Sequence, residues 1–286
     1  GTPVFILDVV VPDLLPMVPV LLISGLVFGL VAILFMLALF QSAKIAEKSG
    51  LKPFPLMLIA ALVCGIIAIF VPEVIGVGTV EIRNIIDGMY LVEFLFLVFV
   101  LKLFATSLCI GFGLFGGVFS PAVFIGAAAG GFMSKMLAIT GFVTAPHLLP
   151  IAGFAAVTAA VVGAPISVVL IVLELTQSYE FAVAAMLTAV VASFLSSLVF
   201  GHSFFDEQLF RRGIDLSQGR GNLELMSKNI STIASDSFVV VPESTKVKKS
   251  IAILSKAGVS EGYCLGPNGE LMGKCALPIL SLAPPN

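Results

Sequence analysis

One stretch of this chain carries almost no charge, and it limits the folds that the chain can adopt more than any other feature. Between residues 103 and 173, Lys135 is the only Asp, Glu, Lys or Arg. A helix crosses a bilayer with about 20 apolar residues, so this stretch has to turn back at its helix breakers. In chain order, the breakers are the glycines before Val118, the pair Gly141 and Pro146, and the run Gly163-Ala164-Pro165. We therefore predict several unequal helices that are interrupted by glycine and proline inside a membrane.

The composition agrees with a membrane protein that ends in a small soluble piece. The chain is 59% apolar and 11% charged, whereas an ordinary soluble domain is about 45–50% apolar and about 25% charged. Of its charged residues, 19 lie in residues 1–214 and 13 in the much shorter remainder. We predict a membrane domain over residues 1–213, a linker over 214–228 and a soluble piece over 229–286. The net charge of -2 gives no sign of nucleic acid binding.

Apolar runs predict the membrane helices, and alternating patterns predict the elements of the soluble piece. The apolar helices cover residues 18–40, 55–71, 91–107, 166–175 and 181–200, with short helices over 81–87 and 204–212. The soluble piece is predicted as a strand at 238–242, a helix at 245–257, and strands at 262–265 and 271–276. Basic residues follow the first span and the last membrane helix, at Lys44, Lys48 and Arg211. The positive-inside rule places these basic segments, and hence the soluble piece, in the cytoplasm.

The stretch GFGLFGGVFSPAVFIGAAAGGFMSK, residues 111–135, predicts a glycine-rich loop that leads into the N-terminus of a helix. Four glycines precede Val118, too many for a regular helix, and Pro121 suits a first helical turn. Such a helix end presents free N–H groups and the positive end of the helix dipole, and inside a bilayer these groups need a ligand. An anion is the natural ligand. The alternative is a glycine-rich turn that permits close helix packing, as is predicted for Gly126 and Gly130.

Around this loop, the sequence resembles the CLC family of chloride channels and chloride/proton antiporters. GGVFSPAVFIGAAAGG is similar to the family's GxFxP segment, and the resemblance covers nearly all of residues 1–280. Four further stretches agree in family order: PEVIGVG at 72–78, LKLFAT at 101–106, GAPI through LELT at 163–176, and SFFD through RRG at 203–213. Five motifs in order are far more specific than one GxFxP segment alone.

The resemblance implies an all-α polytopic membrane fold with broken, tilted helices, of which this chain holds half of the inverted repeat. It implies that the tail is a partial CBS domain, a small α/β cytosolic piece. The implied function is transport of chloride and similar small anions, by a channel or by a chloride/proton antiporter. The family's gating glutamate, its proton-accepting glutamate and a second anion-contacting loop lie in the first half of the membrane domain. We expect this sequence to begin after them and to supply about half of the pore.

The resemblance also implies which residues contact the anion. The implied anion-binding residues are Gly116, Gly117, Val118, Phe119, Ser120, Pro121 and Phe205. The central anion is expected on the N–H groups of Val118 and Phe119, with the two glycines permitting its approach. The family's usual second contact is a tyrosine hydroxyl from the last membrane helix. The matching residue here is Phe205, which has no hydroxyl, so the inner side of the site departs from the family pattern.

The resemblance implies partners as well. Family members are homodimers with one pore per subunit, and apolar helices at residues 166–173 and 181–199 would supply the interface. CBS modules bind adenine nucleotides in pairs, and a single truncated repeat lacks the partner half, so we do not expect nucleotide binding here. No cofactor is expected, since chloride is the transported ligand, and no nucleic acid partner is expected.

Other functions fit the sequence less well. We do not expect an enzyme, because the membrane segments contain no GxSxG motif, no HExxH motif and no grouping of His, Asp and Cys. A secondary transporter for a cationic or neutral solute would place carboxylates along its route, and between Lys102 and Glu174 there are none. A third alternative is a fragment or scaffold subunit that does not transport by itself. Flux assays separate that alternative from the first.

A few polar residues stand within the apolar runs. Lys102 and Lys135 are suspected of a function because charges inside a membrane are costly, although a structural pairing of Lys102 and snorkelling of Lys135 are the alternatives. Glu174 is expected near a helix end with hydrogen-bond partners. Cys64 and Cys109 are predicted to be core residues, since no CxxC motif or neighbouring His suggests a metal site.

Overall fold

The protein folds into two compact units, Gly1–Leu216 and Ser217–Asn286. A computed structural model describes residues 14–141, 146–201, 203–211 and 238–282. The helices of the first unit are α1 (Val18–Lys48), α2 (Pro53–Phe70), α3 (Thr79–Ile86), α4 (Val92–Gly111), α5 (Phe119–Ile139), α6 (Leu148–Val162), α7 (Pro165–Thr176), α8 (Tyr179–Phe200) and α9 (Phe204–Phe210). Short 3₁₀ turns cover Leu15–Met17 and Pro72–Val74. The mostly helical fold predicted from the sequence is confirmed.

Proline and glycine decide where several helices begin and end. Helix α2 begins at Pro53 and α7 at Pro165, positions where a missing N–H costs nothing because the helix has no acceptor for it. Gly163 after α6 and Gly201 after α8 have φ of 77° and 73°, a conformation that suits glycine because it has no Cβ. The breakers read from the sequence therefore separate the helices as predicted. Helix α1 continues to Lys48, past the predicted end at residue 40, because its polar last turns remain helical beyond the apolar run.

Helix α6 forms the centre of the membrane unit. All of its residues except Val162 are buried, and it packs against α1, α5 and α8. The contact with α5 is the closest, since a Cβ on Gly126 would overlap the carbonyl of Gly153 and a Cβ on Gly130 would overlap the carbonyl of Leu149. These glycines let the two backbones touch. The close packing predicted at Gly126 and Gly130 is confirmed.

Within the described ranges, five helical stretches are long and apolar enough to cross a membrane. They are Leu15–Lys48, Pro53–Phe70, Val92–Gly111, Phe119–Ile139 and Tyr179–Phe210. Helices α6 and α7 are apolar but shorter, with 15 and 12 residues. The unequal lengths agree with the broken helices predicted from the sequence.

Helix α3 is short and amphipathic, and one face of it packs against the hydrophobic core of the first unit. Its residues Ile82, Ile85 and Ile86 are buried while Glu81 and Arg83 occupy the other side. The predicted short helix at residues 81–87 is confirmed, with one apolar face against the core. Gly76 and Gly78, in the loop before it, have φ of 74° and 72°. This loop reaches the start of α5.

The second unit has the β-α-β-β order predicted from the sequence. Its elements are β1 (Val240–Pro242), α10 (Val247–Ala257), β2 (Glu261–Leu265), β3 (Leu271–Ala276) and α11 (Leu277–Leu280). Strand β1 pairs with β2 in parallel, with Val241 opposite Cys264, and β2 pairs with β3 in antiparallel fashion, with Tyr263 opposite Lys274. Leu254 of α10 is fully buried and lies next to Gly262 of β2. The predicted linker, residues 214–228, lies outside the described residues.

Candidate anion site

The loop before α5 contains a run of backbone N–H groups without acceptors. Leu114 N donates the last hydrogen bond to the end of α4, and Ala122 N donates to Val118 O at 3.1 Å, the first bond of α5. Across the part of the chain that the structure describes, the N–H groups of residues 115–120 have no acceptor. Pro121 has no N–H. The run therefore ends at the first turn of α5, where the helix dipole adds positive potential.

Most residues of the segment 115–120 are exposed, so a ligand can reach its main-chain N–H groups. Gly116, Gly117 and Phe119 are exposed, whereas the side chain of Val118 is buried and anchors the loop. Neither glycine has a positive φ, and a Cβ on Gly117 would meet no atom of this chain within 4 Å. The packing of the chain therefore does not require glycine at these two positions.

Ser120 ties the start of α5 to the loop before α3. Its hydroxyl donates to Val77 O at 3.0 Å, so the part of Ser120 left for an anion is its N–H. Gly78 lies under the ring of Phe124, and a Cβ there would overlap the Cδ2 and Cε2 atoms of that ring. The sequence reasoning did not identify Val77 or Gly78 as partners of α5. The PEVIGVG motif pointed to this loop but not to its contacts.

Lys102 of α4 is hydrogen-bonded to the same loop before α3. It is 3% exposed, and its Nζ donates to Val74 O at 2.7 Å and to Gly76 O at 2.8 Å. The Nζ also lies 4.8 Å from the centroid of the Phe124 ring, an arrangement in which a cation is attracted to the ring face. The ion pairs of the described residues do not include Lys102. The Lys102 side chain is therefore held near α5 by hydrogen bonds to two carbonyls and by the ring, and Glu81 is a charged neighbour beyond ion-pair distance.

Phe205 lies on another helix, α9. Its side chain is 45% exposed and meets Phe204 edge to face, with centroids 5.6 Å apart. Phe204 is buried and stacks on Phe40 at 5.3 Å. Ser203 caps α9 by accepting a hydrogen bond from Asp206 N at 3.3 Å. The position of Phe205 on the inner side of the anion stays a prediction.

Comparison with known proteins decides the family. Residues 2–197 match the family described as voltage gated chloride channel, which is well over half of the chain. The chain belongs to this family. The match includes α1 to α7, most of α8, and the loop with unpaired N–H groups.

Relatives of this chloride channel family member include named exchange transporters. It is 30% identical over 197 residues to the H(+)/Cl(-) exchange transporter ClcA of Vibrio campbellii, covering 66% of this chain and 42% of that protein. It is 34% identical over 150 residues to the H(+)/Cl(-) exchange transporter ClcA of Vibrio cholerae serotype O1 (strain M66-2), covering 51% of this chain and 32% of that protein. The chain thus spans less than half the length of the curated relatives it matches.

Solved structures share the fold. A slow cyanobacterial Cl-/H+ antiporter matches with a TM-score of 0.65 at 24% identity, over 74% of this chain and 51% of that one. A eukaryotic CLC transporter matches with a TM-score of 0.60 at 18% identity, over 95% of this chain and 60% of that one. These likenesses confirm the CLC-like arrangement of helices in this family member.

In the described residues, the other polar side chains singled out from the sequence accept no hydrogen bond from the N–H groups of residues 115–120. Lys135 donates to Gly88 O at 2.9 Å, which fixes its ammonium on the loop after α3. Glu174 is exposed and lies near the end of α7, as predicted, but the described residues include no hydrogen-bond partner for it. Cys64 and Cys109 are half-buried rather than core residues, and they face each other.

A cavity of about 530 Å³ lies beside the start of α5. Phe119, Ser120 and Val123 line one side of it, and Val77 of the preceding loop together with residues of α3, α6 and α7 lines the rest. Most of the lining is apolar, with Arg83 among the few polar residues. No group of three or more His, Cys, Asp or Glu side chains suited to a metal occurs in the described residues.

One GxSxG match exists in the tail, at residues 258–262. It joins the end of α10 to β2, whereas a nucleophile elbow turns from a strand into a helix. The match is therefore not a hydrolase motif.

Proposed function

We propose that this chain forms part of a chloride-transport pathway in which the N–H groups at the start of α5 hold the anion. The observation that carries the proposal is the run of unpaired N–H groups over residues 115–120 at the N-terminus of a membrane helix. Inside a bilayer an unpaired N–H costs several kcal/mol, on the order of 2–7 by transfer measurements, so a ligand is needed there. Val118 and Phe119 are the central donors, and the segment from Gly116 to Pro121 forms the cradle.

Backbone N–H groups suit the binding of a transported anion, which has to be released again from the site. Backbone dipoles at a helix start act as a partial positive charge of about 0.5, so chloride is stabilised without a full counter-charge. Lys102 adds positive potential behind the loop while its ammonium stays engaged with two carbonyls. Phe205 lines the inner side without a donor, so the grip on that side is weak. Conduction requires binding that is favourable enough to enter and weak enough to leave.

The names of the relatives favour exchange of chloride for protons in the complete protein over passive conduction. The half of the relatives that this chain does not match would supply the groups that carry protons. No cofactor takes part in the proposed mechanism, and chloride is its ligand. The tail is proposed to be a partial CBS module on the cytoplasmic side, supported by its β-α-β-β order.

A homodimer through α7 and α8 is part of the proposal. Exposed apolar side chains recur along both helices: Ile166, Leu170, Met186, Val190, Phe194 and Leu198. Their spacing of four residues puts them on one stripe per helix. This surface matches the apolar helices that the resemblance assigns to the interface.

Chloride-loaded liposomes that contain the purified chain test the proposal. Chloride efflux and external pH are recorded together, and chloride binding in detergent is measured by calorimetric titration. Chloride efflux with a rise in external pH, as the liposomes take up protons, supports an antiporter. Chloride efflux at constant external pH supports a channel. Chloride binding without efflux supports an anion site in a chain that does not transport by itself. A folded chain that neither binds nor moves chloride overturns the proposal and supports the scaffold alternative.

A further inference from the structure

Two thiols face each other between α2 and α4. The Sγ atoms of Cys64 and Cys109 are 3.1 Å apart, although 45 residues separate them in the chain. Cys64 Sγ also lies 3.9 Å from Ala105 O, one turn before Cys109. A disulfide has an S–S bond of about 2.0 Å, so the sulfur atoms would need to approach by about 1 Å. Both side chains are half-buried, so neither is sealed inside the core.

The two helices that the pair would join differ in how firmly they are held. Helix α2 buries only Leu56 and Ala60 among its residues, and it packs mainly against α4 and the Pro72–Val74 turn. Its remaining apolar side chains are half-buried or exposed, with Leu62, Ile66 and Ile69 more than half exposed. Helix α4, by contrast, packs against both α1 and α5. A covalent bond would hold the weakly packed helix on the firmly packed one.

We propose that Cys64 and Cys109 are a redox-sensitive pair that hydrogen peroxide oxidises to a disulfide linking α2 to α4. The sulfur of one cysteine attacks a peroxide oxygen and the O–O bond breaks; the hydroxide that leaves takes up the thiol proton, so a sulfenic acid and water form. The sulfur of the second cysteine then attacks the sulfenic sulfur and the S–O bond breaks; this hydroxide takes up the second thiol proton and leaves as a second water. Two thiols and one peroxide give one disulfide and two waters, with the sulfurs oxidised and the peroxide reduced. A dithiol reductant reverses the step by exchange.

A disulfide between Cys64 and Cys109 would hold α2 more firmly on α4 and so stabilise the protein. The link closes a 45-residue separation, and closing a loop of this length restricts the unfolded chain. We expect the oxidised protein to melt roughly 5 °C or more above the reduced protein. The pair lies near the end of α4, so the same link also restrains the segment that leads into the glycine-rich loop. The oxidation chemistry does not depend on chloride binding, so its test is separate from that of the proposed function.

Cys264 and Cys275 of the second unit also carry thiols, so they have to be removed before the free thiols of Cys64 and Cys109 are counted. Cys264 and Cys275 are close enough for a side-chain hydrogen bond, and burial raises the pKa of the Cys275 thiol above its ordinary value. The experiment therefore uses the full chain with Cys264→Ser and Cys275→Ser, treated with hydrogen peroxide in detergent. Free thiols are counted by maleimide mass shift, and cross-linked peptides are mapped by mass spectrometry. Mapping on the unsubstituted chain keeps the result independent of these two changes.

The expected result is the loss of two free thiols per chain and a peptide cross-link between residues 64 and 109 that dithiothreitol removes. Cys64→Ser in the same background should give no such link. The matched control combines Cys64→Ser with Val63→Cys, which keeps two thiols on the same helices but turns one away from α4. Retention of both thiols, a link between chains instead of within one, or equal linking in the control overturns the proposal. A disulfide that leaves the melting temperature unchanged overturns the expected tightening of α2.

Discussion

At the scale of residues, the candidate site consists of main-chain N–H groups, and most substitutions leave those groups in place. Proline is the exception because it has no N–H. Val118 is a suitable position for it, since its φ of −86° is near the value of about −65° that proline imposes. Gly117 before it adapts to the restriction that proline puts on the preceding residue. This makes one donor removable without rebuilding the helix.

Val118→Pro should weaken chloride binding by about tenfold or more, because a hydrogen bond to a charged group contributes about 1.5–3 kcal/mol. Calorimetric titration with chloride measures the change. Val118→Ala is the matched control, since it trims the same buried side chain and keeps the N–H. Equal losses in the two variants would assign the effect to packing rather than to the N–H donor.

Phe205→Tyr should strengthen chloride binding several-fold, because the new hydroxyl supplies a donor on the inner side of the site. The side chain is 45% exposed, so the added oxygen has room. Phe210→Tyr, on the same short helix and 51% exposed, is the control and should have no effect. Unchanged affinity in the Phe205 variant would mean that this position does not face the anion.

Lys102→Met should lower chloride affinity several-fold and lower the melting temperature. The substitution removes a positive charge and leaves the carbonyls of Val74 and Gly76 without their donor. Lys102→Arg keeps the charge and the donors, so its chloride affinity should remain closer to that of the original protein. Identical affinities in all three proteins would exclude an electrostatic contribution from this residue.

At the scale of elements, the contact of α5 with α6 positions the site because it fixes the axis of the helix whose N-terminus would hold the anion. Its closest points are glycines, and a Cβ on Gly130 would overlap the carbonyl of Leu149. The two helices have no room to accommodate even a methyl group without moving apart. The site at the start of α5 therefore depends on packing at Gly126 and Gly130, about two and three turns further along the same helix.

Gly130→Ala should destabilise the protein by about 1–3 kcal/mol, the usual cost of overpacking. Gly65→Ala is the matched control, since α2 is exposed there and a Cβ would meet no atom within 4 Å. Alanine is the better helix former by about 1 kcal/mol, so the control should be neutral or slightly stabilising. Thermal unfolding in detergent compares them, and equal melting temperatures would contradict the close packing.

At the scale of the whole molecule, the membrane unit leaves two kinds of apolar surface. The exposed stripes of α7 and α8 are the proposed dimer interface, while α2 carries a similar stripe that we assign to lipid. Phe194 and Leu198 are 64% and 66% exposed, and Leu62 and Ile66 of α2 are 60% and 57% exposed. Both pairs have a spacing of four residues, which makes them a matched comparison.

Phe194→Ala combined with Leu198→Ala should shift the chain from dimer towards monomer, because packing between apolar helices in lipid depends on close van der Waals contact. Leu62→Ala combined with Ile66→Ala should leave the association unchanged. Single-molecule photobleaching of labelled chains in liposomes counts the copies. A dimer that survives the first pair of changes, or one that is lost with the second, would move the interface elsewhere.

Much of the membrane unit could be predicted from the sequence because its signals are local. A charge-free run longer than one span has to fold back, and proline or glycine marks where, so Pro165 and Gly163 located helix ends without any tertiary information. The run of glycines before Val118 likewise predicted a loop leading into a helix start. Each of these inferences depends on the residue itself and its immediate neighbours.

The contacts around the site were decided by the tertiary structure alone. Lys102 meets Val74 across 28 residues, Ser120 meets Val77 across 43, and Cys64 meets Cys109 across 45. No periodicity or motif gives the pairing of such distant residues, because it depends on how whole helices pack. The sequence by itself determined a membrane chain with a glycine-rich loop that leads into a helix start, and it predicted an anion there. The packing of α4, α5 and the Pro72–Gly78 loop decided which side chains hold that helix start in place, since buried polar groups take whatever partners the fold brings within reach.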